Sequence, residues 1–298
     1  MLCVLCNSNE ISFMFRSEDF EHGVAGKWTI SRCMQCGFCF QDPMPKEEEL
    51  QAFYPATYSS YNSNTFISLL FKGVFLLDAR RIYKMVGPEK KILDIGSGSG
   101  GLLLALKGLN KNYQLTGLEI DSGAVQKARK EGLNVKHGFL AADSFLNEKF
   151  DLIRMGHVIE HVPDPINTFR IAHNLLEANG ILFGETPNTD CLDFRITGKY
   201  WGALHLPRHL TFFNSNNLVN ALKEAGFNEV ILSPRLRTVG WSTAIQNWLV
   251  AKGFISPPAT GRVAWYVLLI IPFLPVTFIQ SIFNKTGTVC FIAIKGSK

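Results

Sequence analysis

Residues 91–101 read KILDIGSGSGG, an apolar run that ends in an acid and opens into a glycine-rich turn. Ile92, Leu93 and Ile95 have the composition of a buried strand. Gly96, Gly98 and Gly100 supply a permissive backbone without side chains, against which a ligand can lie closely. LLLALKGL, 102–109, reads as the helix that follows, and QLTGLEID, 114–121, as a second strand ending in Glu119. That is where a nucleotide-binding βαβ unit places the carboxylate for its ribose hydroxyls. The glycines at 96, 98 and 101 also fit G-x-G-x-x-G, which leaves a nicotinamide or flavin domain as a second reading. Asp94 speaks against it, because a dinucleotide fold keeps an apolar strand residue two positions before the first glycine.

Taken with Glu119 and HVIEHVPDP at 157–165, the DIGSGSG stretch resembles the class I S-adenosylmethionine-dependent methyltransferases. The resemblance implies an α/β fold: a seven-stranded Rossmann-like sheet, helices on both faces, and strand 7 antiparallel between strands 5 and 6. It also implies that Asp94 positions the methionine end of S-adenosylmethionine, that Gly96, Gly98 and Gly100 pass beneath the cofactor, and that Glu119 binds its ribose. HVIEHVPDP is similar to a segment of ubiquinone-biosynthesis O-methyltransferases, in which an acid, a Glu and a His associated with a divalent metal stand at these positions. Here His157 replaces the first acid, followed by Glu160 and His161. The three could ligate a divalent metal, or one histidine could act as general base near neutral pH.

At 298 residues, with 47% hydrophobic and 18% charged, the chain can build one substantial core plus appendages, which excludes disorder and fibres. A formal charge of +5, with no compact basic run interleaved with aromatics, argues against nucleic acid as a partner. MLCVLCNSNE lacks a basic region followed by an apolar one, so no signal peptide is expected. The expected location is cytoplasmic, or peripheral at the inner face of a membrane, with reduced thiols.

Cys3 and Cys6 form one C-x-x-C and Cys33 and Cys36 a second. Two such knuckles match a tetrahedral structural zinc. A segment this small needs the metal for much of its folding free energy. Cys39, three residues after Cys36, reads as filler on a strand. Some bacterial methyltransferases of the class carry a similar N-terminal zinc ribbon. The expected division is a zinc-ribbon-like segment at 1–45, a linker with capping helices at 46–88, a core at 89–235, an apolar helical insertion at 236–286 and a final strand at 287–298. In the linker, Tyr54, Tyr58 and Tyr61 are candidates to cover the cofactor pocket, and residues 65–86 read as one or two helices.

Beyond residue 89, short apolar strands alternate with helical segments, the pattern of a parallel sheet covered on both faces. A third strand is expected at NVKHGFL (134–140), with Asp143 as a distant candidate for the adenine contact. A fourth runs from Phe150 to Met155. A helix started by proline is expected to reach Gly180, followed by GILFGETPN (180–188) as the fifth strand. Between Asn188 and Asn214 lies a stretch rich in aromatics and positive charge, whose HLPRHLTFF (205–213) resembles a segment of the same enzymes. There His205, Arg208 and His209 are candidates, as a base or as anchors of an anionic substrate. A capped helix follows from Asn214, and NEVILSPR (228–235) is the sixth strand.

No charge occurs from Val263 to Phe283, a stretch flanked by Arg262 and Lys285 and interrupted by Pro272 and Pro275. Three readings stand: a helical hairpin lying in or on a membrane, a buried or oligomeric contact, and a spanning helix. A single crossing would strand TVCFIAIKG (288–296), the seventh strand, on the wrong side of the bilayer. The function expected is S-adenosylmethionine-dependent methyl transfer to an oxygen, with carbon as the second choice, of a small lipid-associated or glycan-related acceptor, with structural zinc as a further cofactor and a divalent metal at the active site as an option. A nicotinamide-dependent oxidoreductase and a non-catalytic partner protein are the alternatives.

Overall fold

The computed structural model describes residues 2–54, 65–258, 261–263 and 265–297, apart from the side chains of 47, 48, 51, 65–71 and 267. Tyr58 and Tyr61 lie outside the described residues. The chain opens with three strands, β1 (Ile11–Ser17), β2 (Trp28–Cys33) and β3 (Cys39–Gln41), then a short helix α1 (Glu47–Leu50). One long helix, α2 (Thr65–Val86), follows. The core begins with β4 (Lys91–Ile95), α3 (Gly101–Leu109), β5 (Gln114–Glu119), α4 (Ser122–Lys130) and β6 (Val135–His137). It continues through β7 (Phe150–Gly156), α5 (Pro165–Leu175) and β8 (Leu176–Pro187). The next segment holds α6 (Leu192–Thr197), β9 (Thr211–Phe212), α7 (Ser215–Glu224) and β10 (Glu229–Pro234). The last part comprises α8 (Val239–Ala251), α9 (Tyr266–Ile270), α10 (Leu274–Ile282) and β11 (Thr288–Ile294).

Seven strands form one sheet in the order β10-β11-β8-β7-β4-β5-β6. Only β11 runs antiparallel to its neighbours β8 and β10, and the remaining pairs are parallel. The expected insertion of the last strand is therefore present, and the carboxyl ends of β4, β5, β7 and β8 meet along one edge. The expected third strand stops three residues early, at His137, because Gly138 takes φ 144° and Phe139 turns out to solvent. The helix expected to reach Gly180 stops at Leu175, since Leu176 already pairs with Phe150 of β7. α7 is capped as expected, with Asn214 and Asn217 each accepting from the other's backbone N–H.

The N-terminal strands are not a detached ribbon. β3 pairs with β9, making a second sheet in the order β1-β2-β3-β9. Phe38 and Phe40 are fully buried in one apolar cluster with Leu93, Phe169 and Phe213 of the core. Each is worth roughly 2–3 kcal/mol against exposure, so the ribbon is anchored by apolar contact as well as by any metal.

The expected helical hairpin within 263–283 is corrected. The backbone stays in the right-handed helical region at Ile270, Ile271, Phe273 and Leu274, so α9 runs into α10 as one kinked helix. Pro272 and Pro275 sit in the first turns of new helical segments, where a missing N–H costs nothing. The reversal lies earlier, between α8 and α9, which pack on each other. Among the described residues, no helix is long and apolar enough to cross a membrane.

Candidate active site

The glycine turn after β4 is built as its composition requires. Gly96, Gly98 and Gly100 take φ of 69°, 55° and 84°, in the left-handed region where a side chain is strained. A Cβ on Gly96 would also lie 2.6 Å from Val158 Cγ2, so the turn abuts the segment that follows β7. Glu119 reaches under the turn, its two oxygens accepting from Gly98 N at 2.7 Å and Asp121 N at 2.9 Å. Asp94 is buried with Arg154 Nη1 3.4 Å away. Burial pushes its carboxyl up to about 6, although the Arg154 charge opposes this. Asp143 is exposed in the turns after β6.

Directly after β7, the chain makes a strained turn. His157 has φ 56°, uncommon for a residue with a side chain, and donates its backbone N–H to Glu185 O at 2.9 Å. Its Nδ1–H donates to Glu160 Oε1 at 2.9 Å. Glu160 is completely buried, and its other oxygen accepts from Thr186 Oγ1 at 3.1 Å. Burial alone would push this carboxyl up, but His157, His209 and His161 outweigh it and hold Glu160 down to about 2. Burial likewise holds His161 below the ordinary imidazole value, and His209 well below it.

Two backbone carbonyls settle how these imidazoles are protonated. His161 Nδ1 lies 3.0 Å from Arg208 O, and His209 Nδ1 lies 2.8 Å from Ala203 O. A carbonyl only accepts, so each Nδ1 carries the proton and each Nε2 is left as the basic nitrogen. His209 Nε2 stands 4.0 Å from Glu160 Oε1, and the two rings meet edge to face with centroids 4.6 Å apart. One donor atom from each of Glu160, His161 and His209 falls within 4.8 Å of the others. The trio expected at 157, 160 and 161 thus regroups: His157 orients the carboxylate, and His209, from a loop far along the chain, takes its place. The Tyr54 hydroxyl, 3.3 Å from His161 Nδ1, borders the same group.

Arg208 is corrected from a substrate anchor to a strut. Its guanidinium is buried, with Nη1 2.9 Å and Nη2 3.0 Å from the carboxylate of Asp19 in the ribbon. It donates further to Leu206 O, Phe53 O and His205 Nε2. His205, at φ 40°, lies 3.1 Å from Glu21 Oε2 of the ribbon through Nδ1 and accepts from Arg208 Nε through Nε2, so both of its nitrogens are engaged. It stands beside His209 rather than at Glu160. Asp19 and Glu21 escape sequence reasoning because nothing in EDFEHG marks which acid meets a loop nearly two hundred residues away.

With this geometry in hand, the comparisons with known proteins are decisive for the family. A family model described as a methyltransferase domain matches residues 77–232, more than half of the chain. The chain belongs to the methyltransferase domain family. It is similar to the ubiquinone biosynthesis O-methyltransferase of Histophilus somni, 33% identical over 111 residues that make 34% of this chain and 46% of the relative. The protein of the same description from Glaesserella parasuis is 36% identical over 134 residues, 40% of this chain and 56% of the relative. The chain therefore spans about half the length of the curated relatives it matches. A SAM-dependent methyltransferase from Archaeoglobus fulgidus shares the fold at TM-score 0.51 and 16% identity, over 75% of this chain and 94% of that one. The [4+2]-cyclase SpnF shares it at TM-score 0.50 and 17% identity, over 75% and 81%. The nicotinamide-dependent alternative finds no favour among these matches.

Besides Asp94 and Glu119, the methyltransferase sheet carries a third buried acid. Glu185, near the carboxyl end of β8, accepts from Arg235 Nε at 2.9 Å and from Arg237 Nη2 at 3.2 Å, and Arg235 also pairs with Asp78 of α2. Burial would raise its pKa, but Arg237, His157 and Arg235 hold it down to about 2. His157 Nε2 lies 3.9 Å from Glu185 Oε2, so this histidine stands between two buried carboxylates. An acid inside the apolar run GILFGETPN was the available signal.

The four knuckle cysteines converge as expected. Cys3 Sγ is 3.7 Å from Cys36 Sγ, and Cys6 Sγ is 3.5 Å from Cys33 Sγ. Sulfurs at the corners of a tetrahedron around zinc, with bonds of about 2.3 Å, stand roughly 3.8 Å apart. The donor set and its spacing therefore fit a zinc ion held by Cys3, Cys6, Cys33 and Cys36. Cys39 points elsewhere, buried against Met14 Sδ and Gly37 O, as filler.

Proposed function

We propose that this chain is an S-adenosylmethionine-dependent methyltransferase that alkylates an oxygen of a small lipid-associated or glycan-related acceptor. In this reading Asp94, Gly96, Gly98, Gly100 and Glu119 hold the cofactor, which supplies a methyl group already activated on sulfonium. Glu119 would exchange its bond to Gly98 N for the ribose hydroxyls. The observation that carries the reading is the pair of imidazoles, each with its Nδ1 on a backbone carbonyl, beside the buried Glu160, on the segment that touches the glycine turn.

An O-methylation needs a nucleophile aligned with the methyl group and a group to take its proton. Alignment supplies most of the rate, and a base adds about two to four powers of ten. His209 Nε2 is the base in this proposal. The Glu160 carboxylate stabilises the imidazolium as it forms, His157 and Thr186 keep that carboxylate oriented, and His161 completes the wall. His205 and Arg208 position the loop from behind. The names of the curated relatives support oxygen as the acceptor atom, and the apolar C-terminal helices support a lipid-associated molecule. Incubation with labelled S-adenosylmethionine and lipid or glycan extracts tests this directly. Label entering an extract with the native chain but not with His209→Ala is the expected result; cofactor binding without transfer to any extract would favour the non-catalytic alternative.

A second reading is favoured by the convergence of Glu160, His161 and His209. Two imidazoles and a carboxylate suit a divalent cation, which would lower the acceptor hydroxyl's pKa in place of a base. Activity that is lost to chelator and restored by one divalent metal, with the cysteine-bound zinc retained throughout, would select it.

A further inference from the structure

The helices after β10 are folded inside out. α8 buries Ser242, Thr243, Gln246 and Asn247, and α10 buries Thr277 and Gln280. Most of their polar groups are used inward: Ser242 donates to Leu269 O, Thr243 bonds Tyr266 Oη, Asn247 donates to Tyr200 O, and Gln280 bonds Trp241, Asp193 and Lys285 O. The outward side is apolar. Leu268, Ile271, Leu274, Phe278, Ile279 and Ile282 recur at helical spacing and are 52–66% exposed. A helix facing water shows the opposite arrangement, and an apolar stripe of this extent marks a contact surface.

Charge selects the occupant. No Asp or Glu follows Glu229, and the ends of these helices carry the exposed lysines Lys252 and Lys285, with Arg262 also exposed but stacked over Tyr266 and facing Glu21 of the ribbon. Trp248 and Trp265, 43% and 40% exposed, stand near the same ends, where indoles settle between headgroups and acyl chains. We infer that α9 and α10 lie in the plane of an anionic lipid bilayer, the stripe Leu268 to Ile282 sunk among the acyl chains and the lysines on the headgroups. The kinked helix is roughly 25 Å long at 1.5 Å per residue, which suits lying along the interface. Through Gln280 and Asp193 it braces the segment between β8 and β9 that carries His205 to His209, and α8 adds a bond from Asn247 to Tyr200 O. On the methyl-transfer reading, the acceptor then reaches the site from the bilayer. The docking itself does not depend on that reading.

Flotation of the full chain with phosphatidylcholine vesicles, with and without phosphatidylglycerol, tests the docking without cofactor or turnover. Binding to the anionic vesicles is expected to be roughly 25-fold tighter than to the neutral ones, from the two lysines each adding about fivefold, and to weaken with salt. Phe278→Glu with Ile282→Glu should abolish it while melting as the native chain does, since both side chains are already in solvent. Failure of the folded native chain to float with anionic vesicles overturns the inference. So does a dimer in vesicle-free buffer that the same double variant dissociates, because the stripe would then belong to a second copy.

Discussion

Removing the Asp19 carboxylate tests whether the ribbon holds the histidine loop in place. Asp19→Ala leaves the Arg208 guanidinium charged and buried, with its carbonyl and imidazole partners but without the two bonds of 2.9 and 3.0 Å that neutralise it. Breaking one side of a buried pair costs about 3–5 kcal/mol, a large share of the roughly 5–15 kcal/mol that a folded domain has in hand. At about 2 °C per kcal/mol for a chain of this size, the melting temperature should fall by roughly 6–10 °C. Arg208→Met should cost less, because Asp19 keeps three backbone donors, from Glu21, His22 and Val24. The double variant should recover part of the loss, giving a coupling energy of about 2 kcal/mol or more in scanning calorimetry of the two singles and the double. Equal and additive losses, or a melting temperature in Asp19→Ala within 1–2 °C of the native one (roughly the scatter of such measurements), would refute the strut.

Three further outcomes follow from the same geometry. His209→Ala should lower kcat by about two to four powers of ten while cofactor binding by calorimetry stays within about twofold; parallel loss of both would place His209 in binding instead. The folded-state pKa values of His161 and His209 lie below the ordinary 6.5, so the unfolded chain takes up protons first as pH falls. Stability should therefore drop below about pH 6.5, by less in His209→Gln, and kcat/KM should lose activity on its acid side with an apparent pKa below 6.5. Zinc analysis should find about one ion per chain, absent in Cys33→Ser, whose transfer rate should also fall because the ribbon carries Asp19, Gln41 and Glu21 against the histidine loop; folded, fully active, zinc-free protein would remove the metal.

What was legible in the sequence was local. Asp94, the three glycines and Glu119 fall within one strand-turn-helix-strand unit, and the two C-x-x-C pairs declare themselves by spacing, so both appear in the structure where they were expected. The site beyond them depends on pairs remote in sequence. His157, Glu160 and His161 look like a ready trio, yet the third member of the cluster is His209, brought in by bonds between its loop and the turn after β7. Arg208 looks like an anchor because its type and neighbours are right; only the fold shows Asp19 already holding it. The apolar run at 263–283 was plain, but composition does not say which face turns inward, and the buried Thr277 and Gln280 of the run, with Gln246 and Asn247 of α8 beside it, invert the usual assignment.

Titration of S-adenosylmethionine into the purified chain by calorimetry tests the central claim most directly. The account predicts saturable binding by the native protein and a loss of at least about tenfold in each of Asp94→Ala and Glu119→Ala, the scale of one hydrogen bond to a charged group. Absence of binding by the folded native chain, unaltered binding in both variants, or saturation by NAD instead would contradict it.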